Sequence, residues 1–318
     1  MSSRDFKYLY GPVPSRRLGQ SLGIDLAPFK TCTYDCIYCQ LGRTTNKTME
    51  RRPYVPVHDI LEELKIKLEA GETPDYISIA GSGEPTLHSE IGELIGMIKS
   101  MTSIPVAVLT NGSLLYKPQV SEALMRADLV IPSLDAGDET LFRYVNRPHN
   151  GISFDNMVSG LIEFTCDFQG QVWLEVLLVS GVTGMDADVK KIAALAKIIS
   201  PAKVQLNTVC RPSSEEYACA VERKQMENLA GLFAGTVEII SNDQPSLYSS
   251  TASRATVDNE IVSLLARRPC TLADICAGLG LHPHEAAKML KKLVDEERIR
   301  TLRADHEVFY KIVEKGQP

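Results

Sequence analysis

The sequence predicts an α/β protein, a partial TIM-like (β/α)6 barrel followed by a small C-terminal winged-helix domain. Over the first 240 residues, short β-rich runs alternate with amphipathic helical stretches, a rhythm typical of βαβ units and a parallel sheet. From about residue 256 the pattern changes to three helices followed by a hairpin, which is the element order of a winged helix. The length of 318 residues also suits one large domain and one small domain.

Six strands are predicted from short apolar runs that end at polar or turn-forming residues. They are Ser21–Leu26, Tyr76–Ala80, Val106–Leu109, Leu129–Ser133, Val172–Ser180 and Lys203–Val209. The stretches between them carry apolar residues at helical spacing, and the predicted helices are Val57–Ala70, Ile91–Lys99, Pro118–Met125 and Ala187–Ile199. Six such units favour an incomplete barrel, and an open doubly wound sheet is the alternative.

A segment rich in Ser, Asn and Thr, residues 241–255, is predicted to link a barrel domain of residues 1–240 to the winged-helix domain of residues 256–318. Thr271 is placed as the N-cap of the second helix of the small domain. The predicted elements of this domain are the helices Val257–Arg267, Thr271–Ala277 and His284–Glu296, and the hairpin strands Arg298–Leu302 and Val308–Ile312.

The composition argues against several classes of protein. Hydrophobic residues make up 44% and charged residues 23%, as in ordinary globular proteins. The net charge of −6 gives no overall attraction for nucleic acid. The longest apolar runs, such as Leu174–Val179, are far too short to span a bilayer, and residues 1–7 lack the apolar core of a signal peptide. We therefore expect a cytoplasmic protein with no membrane partner.

Three cysteines, Cys32, Cys36 and Cys39, lie within eight residues just after the first predicted strand. In a chain of this size without an export signal, clustered cysteines more often bind metal or do chemistry than form disulfides. Iron–sulfur clusters take thiolate ligands and usually need four, so three would leave one iron open to a small molecule. A zinc site whose fourth ligand lies elsewhere is the alternative that the spacing leaves open.

The Cys-x3-Cys-x2-Cys spacing, with the aromatic Tyr38 just before the last cysteine, resembles the signature of the radical S-adenosylmethionine (SAM) superfamily. The resemblance implies a [4Fe–4S] cluster on the three cysteines and S-adenosyl-L-methionine chelating the open iron. It also implies an electron from a flavodoxin- or ferredoxin-type donor, reductive cleavage of SAM, and a 5′-deoxyadenosyl radical that abstracts hydrogen from a substrate. On this reading the protein is an enzyme.

Polar motifs follow three further predicted strands, at the edge where barrels and doubly wound folds place their sites. Residues 81–84 resemble the family's Gly-Gly-Glu motif, whose backbone binds the amino group of SAM, and glycines permit such close approach. The resemblance places ribose and carboxylate contacts at the next two strand ends. The candidate SAM-binding residues at these ends are Gly81, Ser82, Gly83, Glu84, Thr110, Asn111, Ser133 and Asp135. Each motif taken alone is also compatible with an ordinary turn.

Polar side chains also interrupt the predicted strands themselves. Glu175 lies in mid-strand, and because a buried unpaired charge is costly, we expect it to face a wet or ligand-filled interior. Together with Tyr38 it completes the predicted SAM-binding set. Gln205 and Asn207 share one face of the sixth strand, and Asp25 lies in the first. The alternative is that these polar groups satisfy one another across the interior.

The resemblance covers about residues 8–215 and narrows to a group of radical SAM proteins related to the wybutosine-synthesis radical enzyme of tRNA modification. The substrate stays open, with RNA and protein as candidates. A second three-cysteine motif is missing from the sequence, and the irregular spacing of Cys166, Cys210 and Cys219 favours incidental thiols over a second cluster. The runs that carry this closer likeness include residues 11–19, Asn146-Arg147-Pro148 and residues 205–208.

The small domain has a basic edge on its third helix, formed by Lys288, Lys291 and Lys292. Asp295 and Glu296 follow at once, so few phosphates could be neutralised and DNA binding is not expected. We expect the domain to recruit an RNA, protein or other partner and to take no part in radical generation. The alternative function is an iron–sulfur redox sensor that binds DNA. The polar strand ends favour the enzyme, since a sensor needs no SAM pocket.

Overall fold

The computed structural model describes residues 6–240, 254–304 and 307–313. Most of the predicted linker lies outside these ranges, since residues 241–253 are not among them. The described residues form an N-terminal α/β unit and a C-terminal unit, each with its own hydrophobic core. Within the same ranges, no helix combines the length and the apolar character needed to cross a bilayer.

Ten strands are formed by residues 6–240. They are β1 (Leu9–Ser15), β2 (Gly19–Ile24), β3 (Thr31–Cys32), β4 (Asn46–Lys47), β5 (Tyr76–Ile79), β6 (Val106–Thr110), β7 (Leu129–Pro132), β8 (Gln171–Leu178), β9 (Lys203–Thr208) and β10 (Val237–Ile239). Eight of them make one sheet in the order β1-β2-β5-β6-β7-β8-β9-β10. β1 is antiparallel to β2, and every later pair is parallel. The parallel strands therefore all end at one edge of the sheet, called here the carboxyl edge.

Helices occupy most of the connections between the parallel strands. They are α1 (Val57–Glu69), α2 (Ile91–Met101), α3 (Pro118–Leu124), α4 (Glu139–Val145), α5 (Phe154–Asp167), α6 (Asp186–Ile199) and α7 (Arg223–Ala230). The six predicted strands and four predicted helices are confirmed to within two residues at each end. Strand β1 was not predicted. It contains Pro12 and Pro14, and proline argues against a strand except at the edge of a sheet, where β1 lies.

Strand β8 shows how the sequence pattern separates the two faces of the sheet. Val172, Leu174 and Val176 are buried, while Trp173 and Glu175 alternate with them and are only half-buried. Because successive side chains of a strand point to opposite faces, the apolar set packs into the main core and the other set faces away from it. This second face contributes Glu175 to the cavity described below.

The C-terminal unit consists of three helices and a three-stranded antiparallel sheet. Thr271 caps its second helix through a reciprocal pair of hydrogen bonds with Asp274, so the predicted N-cap is confirmed. Its elements are α8 (Arg254–Arg267), β11 (Cys270–Thr271), α9 (Leu272–Leu279), α10 (Pro283–Asp295), β12 (Ile299–Ala304) and β13 (Glu307–Ile312). Each predicted helix and hairpin strand is present, and the short β11 was not predicted.

The C-terminal unit packs against the edge of the main sheet that is formed by β1. Helix α9 contacts the edge strand β1, and the Arg267 guanidinium lies over the Tyr10 ring, 4.6 Å from its centroid. Arg211, just after β9, forms an ion pair with Asp274 at 3.4 Å between Nη2 and Oδ1. The unit therefore reaches from the first strand of the sheet to the segment that follows β9.

Candidate functional site

The three-cysteine loop leaves the carboxyl edge of β2 and is fixed by backbone hydrogen bonds on both sides. The amide of Ile37 donates to the carbonyl of Val145 at the end of α4, at 2.9 Å. Within the loop, the amide of Cys39 donates to the carbonyl of Cys36 at 3.2 Å. At its start, Thr31 pairs with the chain that follows β5. The loop is thus held by the folded sheet around it.

All three thiols line one cavity of about 610 Å³ at this edge. The side chains of Cys32, Cys36 and Cys39 are half-buried and form no disulfide. Burial raises the pKa of the Cys32 thiol to about 12 and raises the pKa of Cys36 and of Cys39. A thiol must lose its proton to bind a metal. The positive charge of the irons would therefore have to offset the free-energy cost of burying a thiolate.

The donor set has the chemistry of an iron–sulfur site, since such clusters take thiolate ligands. Cys32, Cys36 and Cys39 line one cavity, where they would hold the cluster. Among the residues described by the structure, no three His, Cys, Asp or Glu side chains are grouped as for a single metal ion.

Two asparagines donate side-chain amide hydrogens to cysteine sulfurs. Asn111 Nδ2 lies 3.5 Å from Cys32 Sγ, and it also donates to Thr33 Oγ1 at 2.7 Å. Asn146 Nδ2 lies 3.5 Å from Cys36 Sγ. Hydrogen bonds to sulfur are one of the levers by which a protein sets the potential of an iron–sulfur cluster. Asn111 is one of the predicted site residues. Asn146 was not predicted as a site residue, although it belongs to the run Asn146-Arg147-Pro148 that carries the family resemblance.

The carboxylate of Glu84 ties two strand ends together. It is 2% exposed and accepts hydrogen bonds from the Thr86 amide at 3.0 Å, Thr110 Oγ1 at 2.5 Å and the Asn111 amide at 2.8 Å. Burial raises the pKa of this carboxyl, and these donors oppose the rise. The carboxylate of Glu84 is therefore occupied inside the protein, and residues 81–84 line the cavity.

The glycines of the same motif allow two segments to touch. A Cβ on Gly83 would lie 2.0 Å from the carbonyl oxygen of Thr31 in the cysteine loop, and one on Gly81 would lie 2.5 Å from Cγ of Asp25. Gly81 also has a φ of +145°. Asp25 in turn accepts from the amide of Ser82 at 3.1 Å. The close approach that the glycines permit is thus partly to the protein's own chain.

Asp135 does not line the cavity, contrary to expectation. It is 3% exposed and accepts hydrogen bonds from the Tyr38 hydroxyl, from Asn146 Nδ2 at 2.9 Å and from the amide of Leu177 at 3.0 Å. Strand β7 ends at Pro132, so the two-residue alternation that paired Asp135 with Ser133 no longer applies there. Ser133 does line the cavity. Asp135 lies behind the cavity wall and orients Tyr38 by accepting the hydrogen bond of its hydroxyl.

Glu175 faces the cavity, and its charge is paired by the chain itself. Its carboxylate forms an ion pair with Arg17 and accepts from Asn207 Nδ2 at 2.9 Å. Gln205 points elsewhere and donates to Glu238 on β10 at 2.9 Å. The alternative of mutual pairing across the interior is therefore realised for Glu175 and Asn207, although both also line the cavity.

Every other predicted site residue is brought to the same cavity wall. Besides the cysteines, the predicted residues that line it are Tyr38, Gly81, Ser82, Gly83, Glu84, Thr110, Asn111, Ser133 and Glu175. Of the remaining thiols, Cys210 lines the cavity, while Cys166 and Cys219 are exposed. The arginines that line the cavity were not predicted as site residues, because they come from three segments far apart in the chain.

The C-terminal unit also contributes to this cavity. Arg268, Thr271, Asp274 and Phe309 lie on its wall together with the cysteines. The unit was predicted to recruit a substrate or partner and to take no part in radical generation. In the structure, residues of the unit also form part of the cavity wall.

Comparison with known proteins finds one family model and several relatives that match this chain. The model of the Radical SAM superfamily matches residues 26–195. A UPF0026 protein of Methanocaldococcus jannaschii is 33% identical over 316 residues, covering 95% of this chain and 94% of that protein. A UPF0026 protein of Helicobacter pylori is 34% identical over 314 residues, covering 98% of this chain and 99% of that one. A protein of Brachyspira hyodysenteriae named GTPase Obg is 41% identical over 296 residues, and the chain spans 43% of its length.

Solved structures share the fold at low sequence identity. Streptococcus suis SuiB bound to S-adenosylmethionine aligns with a TM-score of 0.52 at 14% identity, covering 68% of this chain and 49% of SuiB. A radical SAM methyltransferase from Sphaerobacter thermophilus aligns with a TM-score of 0.50 at 18% identity, covering 69% of this chain and 66% of that one. The α/β architecture with its parallel sheet is therefore shared with these proteins.

Proposed function

Because this chain belongs to the radical SAM superfamily and to the UPF0026 protein family, we propose that it reductively cleaves SAM to modify an RNA or protein substrate. The family uses a [4Fe–4S] cluster and SAM as cofactors. When bound, this pair supplies a 5′-deoxyadenosyl radical that abstracts hydrogen from the substrate. The reductant is an electron donor of the flavodoxin or ferredoxin type.

One observation carries the proposal: three thiols share a cavity wall with the ends of the parallel strands. In this assignment Cys32, Cys36 and Cys39 hold the cluster. Asn111 and Asn146 donate to two of the sulfurs and so stabilise negative charge on them. The cysteine loop is held by backbone hydrogen bonds, from Ile37 to Val145 and from Cys39 to Cys36. These bonds would limit the movement of the three ligands when a cluster binds.

The SAM pocket is assigned to the remaining wall of the cavity. The carbonyl groups of Gly81 and Gly83 are assigned to a ligand amino group. The Ser82 carbonyl already accepts from the amide of Lys30 at 2.7 Å, and the Ser82 amide donates to Asp25 at 3.1 Å. Thr110, Ser133 and Glu175 present polar groups at the neighbouring strands. Tyr38, oriented by Asp135, closes the pocket beside the cysteines.

We assign the N-terminal unit to a partial barrel of residues 1–240 and the C-terminal unit, residues 256–318, to a winged helix. The order of three helices and a hairpin in the C-terminal unit supports the second assignment. The likeness to the wybutosine-synthesis group favours RNA among the macromolecular substrates. In this scheme the C-terminal unit helps to hold the substrate at the cavity.

The test is anaerobic reconstitution followed by reduction with dithionite in the presence of SAM. The full chain should bind about four irons and release 5′-deoxyadenosine. The triple variant Cys32→Ala, Cys36→Ala, Cys39→Ala should do neither. A matched control replaces the exposed Cys166 and Cys219 by alanine and should behave as the parent. A full cluster in the triple variant would refute the ligand assignment.

A further inference from the structure

Five arginines meet on the wall of the cavity that contains the cysteines, and we call them the arginine wall. Two come from the turn between β1 and β2, one follows β9, and two lie at the end of α8. They are Arg16, Arg17, Arg211, Arg267 and Arg268. Neither the cysteine loop nor the strand-end motifs require such a collection of guanidinium groups. It is a feature that the proposed radical chemistry leaves unexplained.

Arg211 has hydrogen-bonding capacity that the chain does not use. Its side chain is 8% exposed, and within the described residues its buried Nε has no hydrogen-bond partner. Its Nη2 meets Asp274 only at 3.4–3.5 Å, and its Nη1 meets Cys210 Sγ at 3.6 Å. A guanidinium offers five N–H donors, and a buried donor left unused is costly. Because Nε itself is buried, a ligand acceptor would meet Nη1 or Nη2, whose contacts to Cys210 and Asp274 are long.

Arg267 shows the same pattern from the C-terminal unit. Its Nη1 donates to the carbonyl and hydroxyl oxygens of Ser263, at 2.9 and 2.7 Å, and its guanidinium is stacked on Tyr10. Within the described residues its buried Nε also has no partner. Stacking and the Ser263 bonds fix the plane of the guanidinium, so little conformational freedom would be lost when an anion binds.

The charge balance of the cavity favours an anion. Six cationic side chains line it, the arginine wall and Lys30, against four carboxylates. Glu84 is already surrounded by donors, and two of the arginines are themselves paired, Arg17 with Glu175 and Arg211 with Asp274. Arg16, Arg267, Arg268 and Lys30 then stand against Glu307. Burial lowers the pKa of Arg16, and the nearby positive charges of Arg17 and Arg211 act in the same direction. Like charges gathered in a partly buried cavity attract counter-charge from solution.

We propose that the arginine wall binds an anionic group of the substrate, a phosphate or a carboxylate, and thereby sets the substrate class. Planar guanidinium forks match the paired oxygens of both groups. The inference rests on the proposed function, since it concerns the substrate of the same cavity. It also gives the C-terminal unit a chemical role, because that unit supplies two of the five arginines.

The experiment measures anion binding directly, without turnover. Inorganic pyrophosphate and succinate are titrated separately into the full-length reconstituted protein by isothermal titration calorimetry. At least one probe should bind, and Arg211→Gln and Arg267→Gln should each weaken it by about tenfold or more, as expected when a charged hydrogen-bond donor is lost. Lys190→Gln is the control, since Lys190 is exposed on α6 and lies outside the cavity. Binding of pyrophosphate alone assigns a phosphate, and binding of succinate alone assigns a carboxylate.

Two results would overturn the inference. One is that neither probe binds to the folded parent protein, which needs no variant to establish. The other is that the Gln variants lose affinity for SAM while keeping affinity for the probes, because the arginines would then serve the cofactor. Iron content and 5′-deoxyadenosine release, measured on the same samples, report on the proposed function separately. A parent protein that cleaves SAM but binds neither probe refutes only the arginine assignment.

Discussion

The chemistry of the site depends on side chains that stand behind the cysteines. Asn146 contacts Cys36 Sγ, the Asp135 carboxylate and the Tyr38 hydroxyl with one amide group. Asp135 is thereby a positioning residue, and burial raises its pKa to about 6. Sequence spacing finds the thiols, because three cysteines in eight residues are rare. It does not find Asn146, because nothing in a single asparagine marks which sulfur its amide reaches.

The Asn146→Ala variant should lower the reduction potential of the cluster. Its N–H stabilises negative charge on sulfur, which is greater in the reduced state. A hydrogen bond of this kind contributes about 1 kcal/mol, which is about 40 mV for a one-electron couple, so the shift should not exceed about 40 mV. Redox titration followed by electron paramagnetic resonance measures it. Asn156→Ala, an exposed position on α5, is the matched control. An unchanged potential would show that this contact does not tune the cluster.

The Glu84→Gln variant should be less stable by about 1–3 kcal/mol. Its carboxylate accepts from Thr86, Thr110 and Asn111, and an amide would turn an NH₂ group towards one of these donors. Urea unfolding of the full chain measures the loss. Glu62→Gln serves as the control, because the Glu62 side chain is 66% exposed. Equal stability of the two variants would contradict the role given to this carboxylate.

At the scale of the elements, the sheet places its chemistry at one edge because its strands are parallel. The strand and helix bounds follow from apolar periodicity, which is why they could be predicted closely. The direction of each side chain beyond a strand end does not follow from periodicity, because periodicity stops where the strand stops; most of these residues were found from their motifs instead. Asp135 illustrates this limit: three residues past Pro132 it lies beyond the strand, and its carboxylate lies behind the cavity.

The Gly83→Ala variant should lose cluster binding. The added methyl would collide with the Thr31 carbonyl, so the cysteine loop would have to move away from the end of β5. Overpacking of this kind costs about 1–3 kcal/mol. Iron content after reconstitution and the melting temperature both report it. Gly231→Ala is the control, since a Cβ there would meet only the Asn228 carbonyl, at 3.3 Å, which requires a shift of a few tenths of an ångström at most. Normal iron content in the Gly83 variant would show that the loop tolerates this shift.

At the scale of the whole molecule, two units share one cavity. Among the described residues β1 and β10 are the edge strands of the main sheet, and the C-terminal unit packs against β1. Element patterns alone predicted a separate unit with its own core, and such a core is present. They could not predict the contact with the cavity, since it depends on pairs such as Arg211 and Asp274, 63 positions apart.

A chain ending at residue 250 should keep about four irons and still release 5′-deoxyadenosine. The backbone and side-chain contacts described for the three cysteines all lie within residues 31–215. It should lose turnover on the true substrate, because binding energy from remote contacts would be gone. Circular dichroism checks that the shortened chain is folded. Loss of the cluster in a folded sample would mean that the C-terminal unit helps to build the metal site.

The order of the strands in the sheet repeats their order in the chain, and this has a consequence for biosynthesis. Each new parallel strand leaving the ribosome can join the one before it, without waiting for a distant partner. The cysteine loop is translated early, whereas the arginines of α8 emerge more than 200 residues later. In a nascent chain the three thiols are therefore in place while that side of the cavity is still missing. Delivery of the cluster can precede closure of the cavity.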